Sequence, residues 1–561
     1  MSDLVTKVKT QISELLTDAA QKAIADGSLQ PTELTAFAVE EPANRDHGDL
    51  SANAALSWAK AFRTAPRKVA EALLAHADFT GTYIQSAEIA GPGFLNFTLS
   101  DFYRSDILLD IEAKKDRYGF SDYGQGKRVL VEFVSANPTG PMHVGNARGG
   151  ALGDCLASVL SASGFQVERE FYINDAGNQI NKFALSLDLR YRQIFEEGIE
   201  MPEDSYHGAD IIAHAKAFAD LHGDSYLKVS EAQRRKALVD FALPKNIQGL
   251  HDDLLKYRIR YDTWFRESSL HESGETARIL EMLKASGHTY EKEGALWFKG
   301  EDFGSDDFVL IRSNGVPTYI VPDIAYHYNK LAVRKFDKAI DILGADHHGY
   351  VPRLKGALAA LGLDTDRLDV VLMQMVRLVR DGEVIKASKR SGKAITLVTL
   401  LEEVPIDAAR FFFNLREPNS HFDFDLDLAI EQSNKNPVYY VQYAYARICS
   451  ILRNLKEEGI LPRSCTHEEL ALLSCEEEKE LILCLGSYTD VVIAAAKAYD
   501  PAKITHYVQE VATRFHKFYN ACRVKGENDS LMQARLCLCH ATGTVLKNVL
   551  TLLKIDAPES M

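Results

Sequence analysis

The amino-acid sequence predicts a multidomain protein: a central α/β parallel-sheet domain set between an N-terminal α+β module and a C-terminal all-α helical bundle. Three observations lead there. The chain has 561 residues, more than one hydrophobic core accommodates. A strand–helix–strand pattern starts near residue 128, and after about residue 400 strand signals give way to helical periodicity. The expected domains are 1–115, 116–400 and 401–561.

In the first module, Val5, Ile12, Leu15 and Leu16 recur at helical spacing, and the Ala-rich stretch Ser51–Ala75 reads as helix, broken near Pro66. Tyr83–Ile89 and Gly93–Leu99 read as two strands around the turn Gly91-Pro92-Gly93. The charged, Gly-containing stretch Lys114–Lys127 reads as a linker.

The central domain opens with the apolar run Val129–Val134, expected of a strand covered on both faces. Asn146–Ser163 places small and apolar residues at 147, 151, 155 and 159, one face of a helix, and Gly164 is its expected stop. Val167–Ile173 completes a βαβ unit with parallel strands. Phe308–Ile311, Thr318–Val321 and Ala339–Leu343 read as further strands, and residues 180–300 as a mostly helical insertion. Val438–Leu455, Leu470–Thr489 and Ile504–Val524 are the long helices of the C-terminal bundle.

Composition narrows the function classes. Acidic residues outnumber basic ones by 79 to 64, so nucleic acid must be met by a local basic surface. The longest apolar runs, such as Val491–Ala496, fall far short of a membrane span, and the N-terminus carries no signal-peptide pattern. Eight cysteines without a CxxC pair, seven of them after residue 440, predict reduced thiols in a cytoplasmic protein and no structural metal.

Two segments carry chemistry. The first, Ala136-Asn-Pro-Thr-Gly-Pro-Met-His-Val-Gly-Asn146, joins the first strand to its helix. Ligands of open α/β sheets sit in that crevice, where helix N-terminal amides favour anions. Pro138 and Gly140 fix the turn, His143 can donate to phosphate oxygens, and Gly145 lets a flat base approach the backbone. The second, Lys386-Ala-Ser-Lys389-Arg390-Ser391-Gly392, gathers three cations with Ser388 into a loop able to clamp a polyphosphate. Taken singly, the first also reads as an ordinary Pro/Gly connection and the second as a solvated basic turn.

Together, a His-x-Gly-Asn turn, a Lys-x-Ser-Lys loop and an all-α C-terminal domain resemble a class I aminoacyl-tRNA synthetase, whose paired signatures are HIGH and KMSK. Val131–Gly140, Phe171-Tyr-Ile-Asn-Asp-Ala-Gly-Asn178, Asp323-Ile-Ala-Tyr326, Asn436–Tyr443 and the ending Ala557–Met561 are similar to the arginyl-tRNA synthetases of bacterial type. The resemblance spans essentially the whole chain and implies a Rossmann-like catalytic domain. It departs from the signatures at Asn146 and at Ala387, which stands where KMSK has methionine.

The resemblance implies that the carboxylate of L-arginine attacks ATP to form arginyl-adenylate and pyrophosphate. The arginyl group then passes to a ribose hydroxyl at the 3′ end of tRNA. His143, Gly145, Asn146, Lys386 and Lys389 would be catalytic, with Pro138, Gly140 and Ser388 joining them on ATP. Mg²⁺ would accompany ATP through its phosphates. Arginine is a planar cation suited to bidentate carboxylates, and the resemblance points to Glu267, Asp323 and Tyr319, with Asn137 and Glu132 holding the α-amino group. It further implies a monomer whose arginine activation depends on bound tRNA. Asp346-His347-His348 follows a strand and reads as pocket wall rather than a metal site.

For tRNA, the helical domain offers Tyr439, Tyr440, Tyr443, Tyr445 and Arg447, then Arg514–Tyr519 and Arg523, aromatics for stacking beside cations for phosphates. About half of these aromatics are expected in the core. Phe94 and Asn96 of the Gly91–Phe97 segment are the expected contacts of the first module. Another nucleotidyl-transferring enzyme of the same fold and a non-catalytic tRNA-binding relative are the competing classes. Of the first, small adenylyltransferases lack so large a helical domain, and a synthetase for a different amino acid would require losing Glu267, Tyr319 or Asp323, all present. The second predicts eroded phosphate signatures, whereas His143, Gly145, Lys386 and Lys389 are intact.

Overall fold

The computed structural model describes residues 3–40, 42, 48–385, 395–526 and 528–561. At its centre lie five strands: β1 (Arg128–Glu132), β2 (Gln166–Ile173), β3 (Thr263–Arg266), β4 (Lys338–Gly344) and β5 (Leu368–Met373). They form one sheet in the order β5-β4-β1-β2-β3 with every neighbour parallel. The strand order reverses between β1 and β4, so the two loops leaving their carboxyl ends diverge and open a crevice.

Helix α1 (Val144–Ala162) returns from β1 to β2. All but its first three residues and Ser161 are buried, which its Ala/Gly-rich sequence permits by letting sheet and bundle approach from both sides. Within α1, Arg148 is buried and donates to the carbonyls of Gln374 (2.7 Å), Glu417 (3.1 Å) and Ser420 (3.2 Å). Three neutral acceptors take up the guanidinium without a carboxylate.

The region read as an insertion holds Gly177–Arg192, α2 (Ala209–His222) and α3 (Glu231–Lys256), packed around a core of their own that includes Phe183, Tyr191, Phe218 and Leu238. It also holds what its helical reading omitted. Thr263–Arg266 is the edge strand β3, too short and too flanked by charge to stand out. Thr289–Lys292, Ala295–Phe298 and Phe308–Ile311 form a separate antiparallel sheet, so Phe308–Ile311 is a strand outside the central sheet.

Thr318–Val321 is not a strand: α4 (Ile320–Tyr328) begins inside it. Its β-branched run misleads, whereas Pro322 and Asp323 in the first turn favour a helix start. The strand β5 was not anticipated, and strands do not end at residue 400. Phe422–Asp425 pairs in parallel with Val376–Arg380.

In the N-terminal module four strands, Val39–Glu40, Leu50–Ala52, Phe94–Leu99 and Ile84–Ala90, pair antiparallel in that spatial order. The helix break falls where expected, with Pro66 opening Pro66–His76. Gly93, at φ 140°, turns the hairpin, and a Cβ there would meet the Pro66 backbone at 2.9 Å. The C-terminal domain is built of helices that include α5 (Pro437–Glu457), Glu476–Gly486, Tyr488–Ala498, α6 (Ala502–Ala521) and Asp529–Leu552. Arg410, buried, ties it to the sheet domain through Asp154 (2.6 Å), the Tyr257 carbonyl (3.0 Å) and the Leu553 carbonyl (2.9 Å).

Candidate active site

The loop after β1 is unusual from its first residues. Val134 and Ser135 both take left-handed backbone, at φ 69° and 41°, a conformation that costs about 1–3 kcal/mol at each non-glycine residue. Side-chain bonds hold it there: Ser135 Oγ donates to Glu132 Oε1 (2.8 Å) and accepts the Tyr172 N–H (3.1 Å). Further along, the Pro138 carbonyl accepts from Asn246 Nδ2 of α3 (3.0 Å), so the insertion braces the loop.

At its far end the loop becomes α1. His143 is the N-cap, and Asn146 closes the cap by accepting the His143 N–H on Oδ1 (3.0 Å). Asn146 therefore organises the helix start. His143 and Gly145 are exposed, and a Cβ at Gly145 would meet nothing within 4 Å, which leaves its backbone open to a ligand.

These residues line a cavity of about 670 Å³, ample for a nucleotide. Asn137, Gly140, His143 and Asn146 form one wall, His347 from the loop after β4 another, and Tyr206 and Asp210 from the insertion a third. Asp210 Oδ2 is buried and has no hydrogen-bond partner among the described residues.

Lys386, Ala387, Ser388 and Lys389 lie outside the described residues. The residues that follow are placed: Val144 N donates to the Ile395 carbonyl (3.1 Å) and Leu397 N to the Met142 carbonyl (2.9 Å), with His143 bridged to Thr396. The chain leaving residue 394 is thus bonded directly to the helix start at His143.

The two expected carboxylates do not line this cavity but connect to its wall: Glu267 through Tyr172, whose N–H donates to the lining residue Ser135, and Asp323 through Tyr350, which packs on the lining residue His347. Glu267 follows β3, is buried, and accepts from Tyr172 OH at 2.9 Å. The Asn174 amide, turned with its nitrogen inward, donates to Glu267 Oε2 at 3.2 Å. Asp323, in the first turn of α4, accepts from Tyr350 OH and lies 3.1 Å from His327 Nδ1. Tyr350 in turn stacks on Tyr319, which is largely exposed, and packs edge-on against the cavity residue His347. Each acid has a histidine four residues on, His271 at 3.6 Å and His327 at 3.1 Å. Neither has a lysine or arginine in ion-pair range among the described residues. Burial pushes the Glu267 carboxyl up against Tyr172 and His271. Burial would do the same to Asp323, but His327 and Tyr350 outweigh it and hold that carboxyl below its usual value.

Glu132, expected at the α-amino group, has one oxygen bonded by Lys330 Nζ (2.6 Å) and the other by Ser135 Oγ (2.8 Å), so it braces the loop. Tyr172, Tyr350 and Asp210 were missed. The first lies inside the Phe171–Asn178 motif and the second just beyond Asp346-His347-His348, whereas nothing in the sequence singles out Asp210.

On the nucleic-acid side, Tyr439 and Tyr443 stack in parallel on α5, and Arg447 lies over the rings of Tyr443 (4.7 Å) and Tyr519 (5.1 Å). His516 of α6 packs on Tyr440 and Tyr443, and burial together with the Arg447 charge lowers its pKa to about 4. Tyr445, Phe515 and Phe518 are core. In the first module Phe94 is exposed, but Asn96 is buried with its Oδ1 accepting from Ser51 Oγ (2.8 Å), so it does not face solvent as expected.

A parallel sheet with a nucleotide-sized cavity at its switch point, a histidine-capped helix and an appended helical domain defines a class I aminoacyl-tRNA synthetase. The family model described as tRNA synthetases class I (R), catalytic domain, matches residues 108–425. Those of the arginyl tRNA synthetase N terminal domain and the DALR anticodon binding domain match 7–99 and 441–561. The chain belongs to the arginyl-tRNA synthetase family. It is 51% identical to the arginine–tRNA ligase of Acetivibrio thermocellus and 52% identical to that of Caldanaerobacter subterraneus subsp. tengcongensis, covering each completely and being completely covered. Its fold also matches the Thermus thermophilus arginyl-tRNA synthetase, with a TM-score of 0.74 over 99% of this chain and 100% of that one, at 21% identity.

Proposed function

We propose that this protein is an arginine–tRNA ligase: it activates L-arginine with ATP to arginyl-adenylate, releasing pyrophosphate, and transfers arginine to the 3′ end of its tRNA. The observation that carries the reading is the pair Glu267 and Asp323, two carboxylates without a lysine or arginine partner among the described residues, joined through Tyr172 and Tyr350 to the wall of a nucleotide-sized cavity. A guanidinium supplies the missing cation and donates to both acids. A lysine ammonium lacks the planar fork and leaves part of the site unpaired, which is costly for buried polar groups.

ATP takes the cavity, with its base over the open backbone at Gly145 and its phosphates toward His143 and the start of α1. Pro138 and Gly140 shape the turn, and Asn137 holds the arginine α-amino group near the α-phosphate. Lys386, Ser388 and Lys389 complete the phosphate contacts and counter the charge of departing pyrophosphate. Catalysis by this chain is positioning and charge stabilisation, with no covalent enzyme intermediate. Mg²⁺ accompanying ATP through its phosphates would add charge neutralisation, and Asp210, whose Oδ2 has no hydrogen-bond partner among the described residues, would be the protein group to hold it. The tRNA is met by Phe94 in the first module and by Tyr439, Tyr443 and Arg447 in the helical domain.

Action as a monomer in the cytoplasm belongs to the same reading; eight unbridged cysteines suit the compartment. Among the described residues no single helix is long and apolar enough to cross a membrane.

The test is pyrophosphate exchange with each amino acid in turn, with and without total tRNA. Turnover with arginine alone and only with tRNA is expected; turnover with another amino acid, or with none, refutes the reading.

A further inference from the structure

Three neighbouring central strands carry a buried row of acids. Asp341 of β4 is in register with Glu132 of β1, and Glu132 with Glu170 of β2. All three are buried. Carboxylates side by side on neighbouring strands repel, and removing them from water adds to the cost. The answer comes from α4 and the π-helical turn Asn329–Val333 that continues it. Lys330, with no exposed surface, bonds both Asp341 Oδ1 (2.8 Å) and Glu132 Oε2 (2.6 Å). Arg334 pairs with Glu170 (2.6 Å), which also accepts from Tyr326 OH (2.6 Å). His327 bonds Asp341 Oδ2 through Nε2 (2.6 Å) and the Asp323 carbonyl through Nδ1 (2.8 Å), with the Asp323 carboxylate 3.1 Å from the same nitrogen.

An unbroken chain of alternating charge therefore runs Asp323–His327–Asp341–Lys330–Glu132 and ends on Ser135, one of the two left-handed residues of the nucleotide loop. We propose that His327 and Lys330 are positioning residues that lock the arginine-facing carboxylate and the nucleotide loop into one buried unit, so that arginine recognition and ATP placement share a single support.

Three features carry this. The chain begins at the one expected arginine ligand whose histidine is buried: His327 has almost no exposed side chain, whereas His271 beside Glu267 is 44% exposed. It ends where backbone conformation, rather than a side chain, shapes the cavity. Its charge is also suited to the substrate. Burial and the Lys330 charge lower the His327 pKa, but the Asp323 and Asp341 carboxylates outweigh them and raise it to about 10. Two cations against three carboxylates leave one net negative charge, and Asp323, at 27% side-chain exposure, is the member open to a ligand. Glu132, His327 and Asp341 also bring donor atoms close enough to hold a metal ion, but the Lys330 ammonium already lies between two of them.

The inference rests on the arginine-ligase reading, and the test separates the two. The full-length chain is assayed for aminoacylation with total tRNA, varying arginine and ATP separately. Absence of arginine-dependent turnover in the unsubstituted chain overturns the functional reading itself. Given turnover, His327→Gln is expected to raise the arginine KM about tenfold or more and weaken discrimination against lysine, with the ATP KM within about twofold. Lys330→Met is expected to raise both KM values, and Lys330→Arg to restore them substantially. If Lys330→Met does not fold, Asp341→Asn reports on the same link. An unchanged arginine KM in folded His327→Gln, equal rises for arginine and ATP in that variant, or a Lys330→Met effect confined to one substrate each overturns the proposal.

Discussion

The two sides of the proposed active site are built on opposite principles. The proposed nucleotide side is a short contiguous stretch, residues 136–146, whose working parts are exposed: an N-cap histidine, an open glycine and backbone donors. The proposed amino-acid side is Glu267 and Asp323, which are distant in sequence and held by tyrosines, histidines and a buried charge chain. Phosphates are common to every ATP and can be met by local backbone geometry. A guanidinium must be told apart from other cations, which needs fixed, desolvated acids, and fixing a desolvated acid needs partners from several elements. The nucleotide side should therefore tolerate substitution without loss of fold, and the amino-acid side should not.

The largest expected break is Asp323→Asn. Removing one charge from a buried, hydrogen-bonded set costs about 2–5 kcal/mol, so kcat/KM for arginine should fall a hundredfold or more while the ATP KM holds, as steady-state aminoacylation will read. An equal rise in both KM values would erase the contrast between the two sides. Next, His143→Ala should lower kcat about a hundredfold through lost charge stabilisation and leave the melting temperature unchanged, because the residue is exposed. Gly145→Val should raise the ATP KM about tenfold, equivalent to about 1.4 kcal/mol, again without loss of stability, since its side chain enters open space. Phe94→Ala should weaken tRNA use about fivefold, near the lower end of base-stacking energies, with arginine and ATP KM unmoved.

The smallest effect is on pH dependence. The His327 pKa is raised from the ordinary 6.5 to about 10, so its stabilising charge is fully present below pH 6.5 and is lost as pH rises through about 10. Thermal unfolding followed across that window should show the unsubstituted chain losing a few degrees more than His327→Gln.

Reading the sequence was most successful where information is local. The βαβ unit, the N-terminal hairpin and the helices Pro437–Glu457 and Ala502–Ala521 follow from periodicity and turn residues over a dozen positions, whereas Leu470–Thr489, expected as one long helix, is divided among His467–Leu470, Glu476–Gly486 and Tyr488–Ala498. The strand β3 failed because four residues flanked by charge carry no period, and Thr318–Val321 failed because β-branched composition outweighed the helix-start signal of Pro322 and Asp323. The same division runs through the site. His143 and Gly145 announce themselves by spacing, but nothing local shows that Glu132 and Asn96 are engaged by Lys330 and Ser51, partners 198 and 45 residues away. The aromatics of α5 and α6 divided into core and surface only on packing.

By itself the sequence determined the three-part architecture and the motif at the first strand-to-helix turn, which follow from residue type and short-range order; Glu267 and Asp323 are pointed to only by the family resemblance. Only the tertiary structure decided which acids are free to meet a substrate and which are already neutralised, because a carboxylate's availability depends on the charges brought within a few ångströms of it, and chain folding alone sets those distances.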